Sequence, residues 1–320
     1  MIDQNAIIEI INQSLPILAS SPVLVKLTDV VGSVIQTLYL PALTFKKGKA
    51  EVDVEMYRKQ REQELLENQT FTLYEITKLK NFVHAANYAA EELNNLQSEN
   101  MNSEPIDFDW VMRFFDAVGN ISNEELQKLW GKVLAGEINR RGTCSLRTLD
   151  IIRNMSQKEA KTFQTLCGYV VHSGDCHFIF DSGFAGKLEY NEASRQYIQD
   201  HQLKYIDHVV PMIECGLLSV DNDLSTDFQA DSLLTMYNPD VICLLIDKDR
   251  TNTFLNINTY FLTISGFELY NIISNSPDFV LHTEYQLRCF QELKQMYPAL
   301  TVTAHAILKS GKMDPEELLH

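Results

Sequence analysis

Residues 51–100 contain neither glycine nor proline, and this constrains the fold more than any other feature of the chain. In a helix interior those two residues cost about 1 and about 3 kcal/mol relative to alanine. The segment is instead rich in Glu, Lys, Gln, Leu and Ala. Leu79, Phe82, Val83 and Ala86 recur at helical spacing, and the pattern continues to Ala90 and Leu93. A helical hairpin or one extended helix is expected, with an apolar stripe turned towards other helices.

Helix signals continue downstream. Pro105 suits a first helical turn, and Asp107 and Asp109 sit near the positive end of the helix dipole. Trp110, Val111, Phe114, Phe115 and Val118 then form one broad apolar face, which Gly119-Asn120 ends. Ser122 and Glu125 have the spacing of a capping box, ahead of a stripe through Leu126, Leu129, Trp130, Val133 and Leu134. A second box, Ser156 to Glu159, opens a helix through Phe163 and Leu166.

Before the helical stretch, residues 15–45 are strongly apolar and are followed by Lys46-Lys47-Gly48-Lys49. The charge-free part, Val30 to Phe45, is shorter than the roughly 20 residues a membrane-spanning helix needs, and Pro22, Gly32 and Pro41 interrupt the segment. The primary reading is a helix over about 22–40, packed in the core or at a subunit interface. The sharper alternative is an interfacial helix making peripheral membrane contact, with the lysines near anionic headgroups.

Four pieces of the middle region occur in a fairly specific order. They are Asp109-Trp110-Val111-Met112-Arg113-Phe114-Phe115, then Ile121 to Trp130, then Leu134-Ala135-Gly136-Glu137, then Ser145-Leu146-Arg147-Thr148-Leu149. Over about residues 55–170 the chain thereby resembles a bacterial family known only as a domain of unknown function and related to the Abi-alpha group of abortive-infection proteins. The resemblance implies a bacterial setting, phage defence or mobile elements, and no established activity. In this pattern a Pro-Gly usually precedes Ser-x-Arg-Thr-Leu; here Arg141 stands in place of the proline, before Gly142. Read physically, the motif is architectural: Trp110, Phe114 and Trp130 as anchors between helices, Gly136 as a point of close helix approach, and Glu137 with Arg147 as a paired contact fixing a turn. The functional alternative is an anion-binding site made by Lys132, Arg140, Arg141 and Arg147.

From Tyr169 the texture changes to short β-prone runs, at 176–180, 241–246 and 256–263, interleaved with helices at about 202–215, 265–275 and 282–297. The expected architecture is mainly α. It comprises an apolar helical segment (1–50), an all-α family-like domain (51–168) and a smaller α+β module (169–320). The helix ending in Glu214-Cys215-Gly216-Leu217-Leu218 gives that module a winged-helix-like reading. Residues 196–235 contain one Lys or Arg, Lys204, so the module is read as a protein-interaction unit rather than a reader of DNA.

Net charge is −16, and residues 171–320 carry nine Lys and Arg against 21 Asp and Glu, so nucleic acid is disfavoured as a partner. The six cysteines are widely and irregularly spaced with no Cys-x-x-Cys pair, and no secretory signal pattern begins the chain, which points to reduced thiols and a cytoplasmic location. His172, Cys176 and His177 are weak candidates for a metal, because adjacent Cys176 and His177 would point to opposite faces of a strand. Asp240 and Asp247 flank a strand as in some nucleases, but Lys248 follows Asp247 directly and the register is wrong. There is no phosphate-binding P-loop and no nucleophile elbow, and no cofactor is expected. The sequence reads as a non-enzymatic interaction or scaffold protein acting through protein contacts and self-association. A membrane-associated effector and a cryptic metal-dependent hydrolase or nuclease are the rival readings.

Overall fold

A computed structural model describes residues 22–38, 73–95, 106–184, 192–219, 224–227, 233–247, 253–276 and 278–319. The chain divides into two compact units, residues 1–157 and 158–320.

The first unit is all helix among the described residues: α1 (Pro22–Leu38), α2 (Leu73–Asn95), α3 (Phe108–Val118), α4 (Glu124–Asn139) and α5 (Leu146–Asn154). The apolar residues of α1 at i, i+3 and i+4 spacing, Leu24, Leu27, Val31, Val34 and Ile35, are all buried, and α1 packs against α2, α3 and α4. The apolar face that a membrane surface would have taken is therefore occupied by protein. Lys46 to Lys49 lie outside the described residues.

Helix α2 buries every residue the periodicity selected. Its alanines let α4 approach closely, at Gly131. A Cβ there would stand 2.5 Å from Tyr88 Cβ and 3.0 Å from the Ala85 carbonyl oxygen. Gly131 is thus a point of tight approach on α4 that the sequence reading did not name. A buried amide network crosses the same junction. Asn81 Nδ2 donates to Gly119 O (2.8 Å), while Gln127 Nε2 donates to Ile121 O (2.7 Å) and to Asn81 Oδ1 (3.3 Å). These bonds give the Gly119 and Ile121 carbonyls of the α3–α4 turn side-chain donors.

Two caps differ from the sequence reading. Helix α4 begins at Glu124, and Asn123, not Ser122, accepts from Leu126 N (3.1 Å). Helix α3 begins at Phe108, with Asp107 as cap, accepting from the amides of Asp109 (2.8 Å) and Trp110 (3.2 Å).

The second unit is α+β and is no smaller than the first. It begins with α6 (Gln157–Cys167), twelve residues earlier than the change of texture, and continues through β1 (Val171–Ser173), β2 (Cys176–Phe180), α7 (Glu192–Asp200), a π-type turn (Tyr205–Val209), α8 (Val210–Glu214), β3 (Leu218–Ser219), β4 (Leu224–Asp227), β5 (Leu233–Tyr237), β6 (Val241–Ile246), β7 (Phe254–Ile257), β8 (Thr259–Leu262), α9 (Ile264–Ser274), α10 (Thr283–Met296), β9 (Thr301–Ile307) and β10 (Met313–Glu317). Thr263 caps α9, accepting from Gly266 N (3.0 Å).

The sheet has eight strands in the order β10-β9-β6-β5-β1-β2-β8-β3, every recorded pairing antiparallel; β4 and β7 pair separately as a ribbon. Strands β5, β6 and β9 pair over long stretches, but β5 meets β1 only at Tyr237↔His172. In the hydrogen-bonded register, two halves of the sheet therefore meet at one residue pair.

Candidate functional site

In the helical unit, the sequence-predicted anchors come together as one aromatic cluster. Trp110 stacks on Phe114 with centroids 5.3 Å apart; Phe114 meets Trp130 edge-on at 5.3 Å and Phe82 at 6.2 Å. Relative exposure is 5% for Trp110 and 0% for Phe114 and Trp130, so these rings face protein and not solvent. The Trp110 indole donates to Cys144 O (2.8 Å), while the buried Trp130 Nε1 has no hydrogen-bond partner among the described residues.

Glu137 is buried on α4 and turned into the loop leading to α5. One of its carboxylate oxygens accepts from Gly142 N (2.8 Å) and the other from Cys144 N (3.2 Å). Burial pushes the Glu137 pKa up, and the loop amides and Arg141 pull it partly back. The expected pairing of Glu137 with Arg147 is not formed: the loop backbone has taken the carboxylate, and Arg147 is exposed in the first turn of α5. The carboxylate does fix the turn, through backbone N–H groups rather than a guanidinium.

Of the four basic residues, Lys132 stands apart from Arg140 along the chain's helical path. Lys132 lies about two helical turns before Arg140 along α4, roughly 12 Å at 1.5 Å per residue. Arg141 reaches Asp107 (3.5 Å), which offsets its charge, and the α5 N-terminus is capped by Ser145.

The ionisable side chains that do converge lie in the second unit. Gly174, at φ +56°, permits the tight turn between β1 and β2, and the resulting register sets His172 opposite His177 and Ser173 opposite Cys176. The two histidines share a face, with Nδ1 atoms 2.7 Å apart, and Cys176 belongs to the other face, as alternation required. His172 Nε2 lies 3.0 Å from the Tyr270 hydroxyl, and His177 stacks on Phe267 with centroids 3.7 Å apart. Burial, then the charge of His177, lowers the pKa of His172 to about 4; burial also lowers that of His177, against a smaller opposing pull from Asp175. Both rings are therefore neutral at pH 7. Among the described residues no three His, Cys, Asp or Glu side chains are grouped to hold a metal ion.

A second cluster surrounds the start of α10. His282 stacks on Tyr169 (4.1 Å), its Nδ1 lies 3.1 Å from the Tyr197 hydroxyl, and Tyr197 stacks on His201 (4.0 Å). Burial, then His201, lowers the pKa of His282 to about 4. Close by, the buried carboxylate of Glu292 accepts from Ser182 Oγ (3.0 Å) and Ser194 N (3.1 Å), so it is committed to fastening α7 and the β2 exit to α10.

The nuclease-like pair is separated by its own strand. Asp240 sits in the turn before β6, where its Oδ2 accepts from Thr283 Oγ1 (3.0 Å), and Asp247 is buried just past the other end. Seven residues of strand span roughly 23 Å. All six cysteines are free. No described helix is long and apolar enough to cross a membrane.

Sequence reasoning named His172 and His177 but not their pairing, and it missed Tyr270, Tyr197, His201 and His282. The hairpin signal was present: two histidines five apart around a Gly-Asp turn are register partners if both flanks are strands.

A family model described as a protein of unknown function, DUF2806, matches residues 56–285. The match includes the motif segments of the helical unit and extends through most of the second, well beyond the 55–170 span of the sequence resemblance. No curated protein matches, and no solved structure matches.

Proposed function

The chain belongs to the DUF2806 family, and from that premise we propose that it is a non-enzymatic interaction protein, acting through protein contacts and self-association. The observation that carries this reading is the use made of the family segment's most conspicuous side chains. Trp110, Phe114 and Trp130 are packed against one another, and Glu137 is bound to loop amides. These groups hold helices in place, so the segment's chemistry is that of a scaffold. The deciding measurement is mass by light scattering at micromolar concentration, together with pulldown from the native host. A strict monomer that retains no partner ends the proposal.

The relation to Abi-alpha proteins supplies the biological setting, a bacterial response to phage in the cytoplasm. It is supported by the order of the four motif pieces and tested by plating efficiency of a phage panel on cells with and without the gene. Equal plating removes the setting while leaving the scaffold reading intact.

We also read part of the second unit as winged-helix-like. Helix α6, strand β2, helices α7 and α8, then β3 and β8 follow in that order, with the strands adjacent as β2-β8-β3. The β4–β7 ribbon and the β5–β6 hairpin are then insertions between β3 and β8. A helix that reads DNA needs cations, whereas Lys204 lies 3.7 Å from Asp207 and both flanks are acidic. Protein contacts suit this surface better. Salt-sensitive retention of duplex DNA in a gel-shift titration would reverse that assignment.

A further inference from the structure

The single joint in the large sheet carries a histidine pair that can accept one proton but not two. His172 is the only β1 residue paired with β5, and its partner there, Tyr237, also lies against its ring, with centroids 5.4 Å apart. The same ring bonds His177 across the hairpin and Tyr270 on α9. Through His172, therefore, the hairpin, α9 and the β5 half of the sheet are tied at one point.

A contact of 2.7 Å between two imidazole nitrogens requires one proton between them. In the neutral state one of the two histidines donates that hydrogen: where it is His172, the Tyr270 hydroxyl donates to His172 Nε2, and where it is His177, His172 Nε2 donates to Tyr270. One added proton is accommodated if Tyr270 turns to accept, or if the shared hydrogen moves and the charge settles on His177, the partner nearer Asp175. A second added proton leaves two N–H groups facing each other at that distance, on two like charges. Asp175 offsets this for His177, and no such pull acts on His172. The titratable groups acting on the cluster are Tyr237 from β5, Tyr270 from α9, Cys167 from α6 through Tyr270, and Asp175 in the hairpin turn. Asp175 acts on His177 alone.

We propose that the His172–His177 pair is an acid-sensitive latch: double protonation parts the two rings and releases the β1–β2 hairpin from β5, separating the sheet into its two four-stranded halves. Beyond the single bridge the hydrogen-bonded register of β1 and β5 has no further rung, and the tie left beside it is the buried Gln286 amide on α10, which donates to Val170 O (3.1 Å) and accepts from Asn238 Nδ2.

The test is hydrogen–deuterium exchange of the full chain at about pH 7 and about pH 4.5, with exposure times scaled for intrinsic rates. Peptides covering 168–180 and 233–240 should lose protection roughly tenfold or more on acidification, while those covering 241–246 and 301–307 keep theirs. His177→Phe retains an aromatic ring to stack on Phe267 and has nothing to protonate, so its joint should stay protected in acid. If that variant does not fold, His177→Gln serves the same purpose, with a neutral acceptor in place of the ring. Titration of His282 would appear instead in peptides 192–201 and 282–290. The latch is refuted if wild-type joint peptides lose no more protection than β6 and β9, or if the position 177 variants lose as much as wild type.

Discussion

Replacing each tryptophan by phenylalanine should have unequal consequences, although both lie in the same cluster and both are nearly or fully buried. The substitution removes about 40 Å³ of ring, which at ~24 cal/mol per Å³ of residual cavity costs ~1 kcal/mol, or up to about 2 kcal/mol with the lost transfer energy. At position 130 it also removes a buried indole N–H that has no acceptor, a group whose burial costs about 1–3 kcal/mol. The two effects offset, and Trp130→Phe should lie within about 1 kcal/mol of wild type. At position 110 the indole N–H donates to Cys144 O at 2.8 Å. Its loss adds about 1–2 kcal/mol to the cavity cost, so Trp110→Phe should be destabilised by about 2–4 kcal/mol. The chain has only these two tryptophans, both in the helical unit, so fluorescence under tryptophan-selective excitation during urea unfolding reports that unit in either variant. The midpoint should fall clearly for Trp110→Phe and barely for Trp130→Phe, at unchanged slope. Equal shifts, or the larger shift at position 130, would refute the assignment of one satisfied and one orphaned indole.

The remaining predictions concern backbone approach, capping and pH. Gly131→Ala should destabilise the helical unit by about 1–3 kcal/mol despite alanine's better helix propensity, because the new methyl meets Tyr88 Cβ at 2.5 Å and backbone at 3.0 Å; thermal unfolding measures it, and a stabilised variant contradicts the close approach. Asn123→Ala should cost about 1 kcal/mol by the loss of the Leu126 N bond, and Ser122→Ala a few tenths at most; a reversed order in urea titrations would restore the Ser122 cap. In the second unit, His172 and His282 have folded pKa values lowered to about 4. The unfolded chain then binds more protons between about pH 6.5 and 4, so this stability is fully present above about 6.5 and lost as pH falls. Because both rings are partly solvated, each should contribute about 1 kcal/mol. His282→Phe should flatten the acid limb of the stability–pH curve, and an unchanged limb would show that His282 is not held neutral.

Much of the helical unit was legible because a single period decides burial there. Leu79, Phe82, Val83, Ala86, Ala90 and Leu93 follow the 3.6-residue repeat, and all are buried. Fine placement was less accessible. Ser122 and Asn123 are both good caps, and their choice is made by where the α3–α4 turn delivers the chain, which the buried Asn81–Gln127 amides determine. Strands followed the same logic. Val241–Ile246 stood out as an apolar run between turn residues, and its residues alternate in burial. Thr301–Ile307 carried a weaker version of the signal, Val302 and Ala304 alternating with Thr and His, and was not recognised. Met313–Glu317, acidic and containing Pro315, has no strand signature at all; it is an edge strand, where one side needs no partner and proline is tolerated.

The sites divide along the same line, between what one local period encodes and what only register creates. A tryptophan on a helical stripe has few alternatives to burial, so Trp110, Phe114 and Trp130 could be assigned before any partner was known. Glu137 could be assigned a role in its turn but not its partner, because a carboxylate is equally served by a guanidinium or by two amides, and the choice depends on loop path. For His172 and His177, each is unremarkable alone; the pair exists because a Gly-Asp turn makes them opposite, and its consequence exists because β1 and β5 share only one rung. That rung lies within residues 56–285, the family segment, whereas β9 and β10, which extend the β5–β6 side of the sheet, lie beyond it. A family member with a different edge beyond β6 would still carry the hairpin and the joint. Histidine at both positions 172 and 177 in such a member, with an aromatic hydroxyl at position 270, is what the latch requires; retention of the joint with the histidines exchanged independently would mark the pair as packing alone.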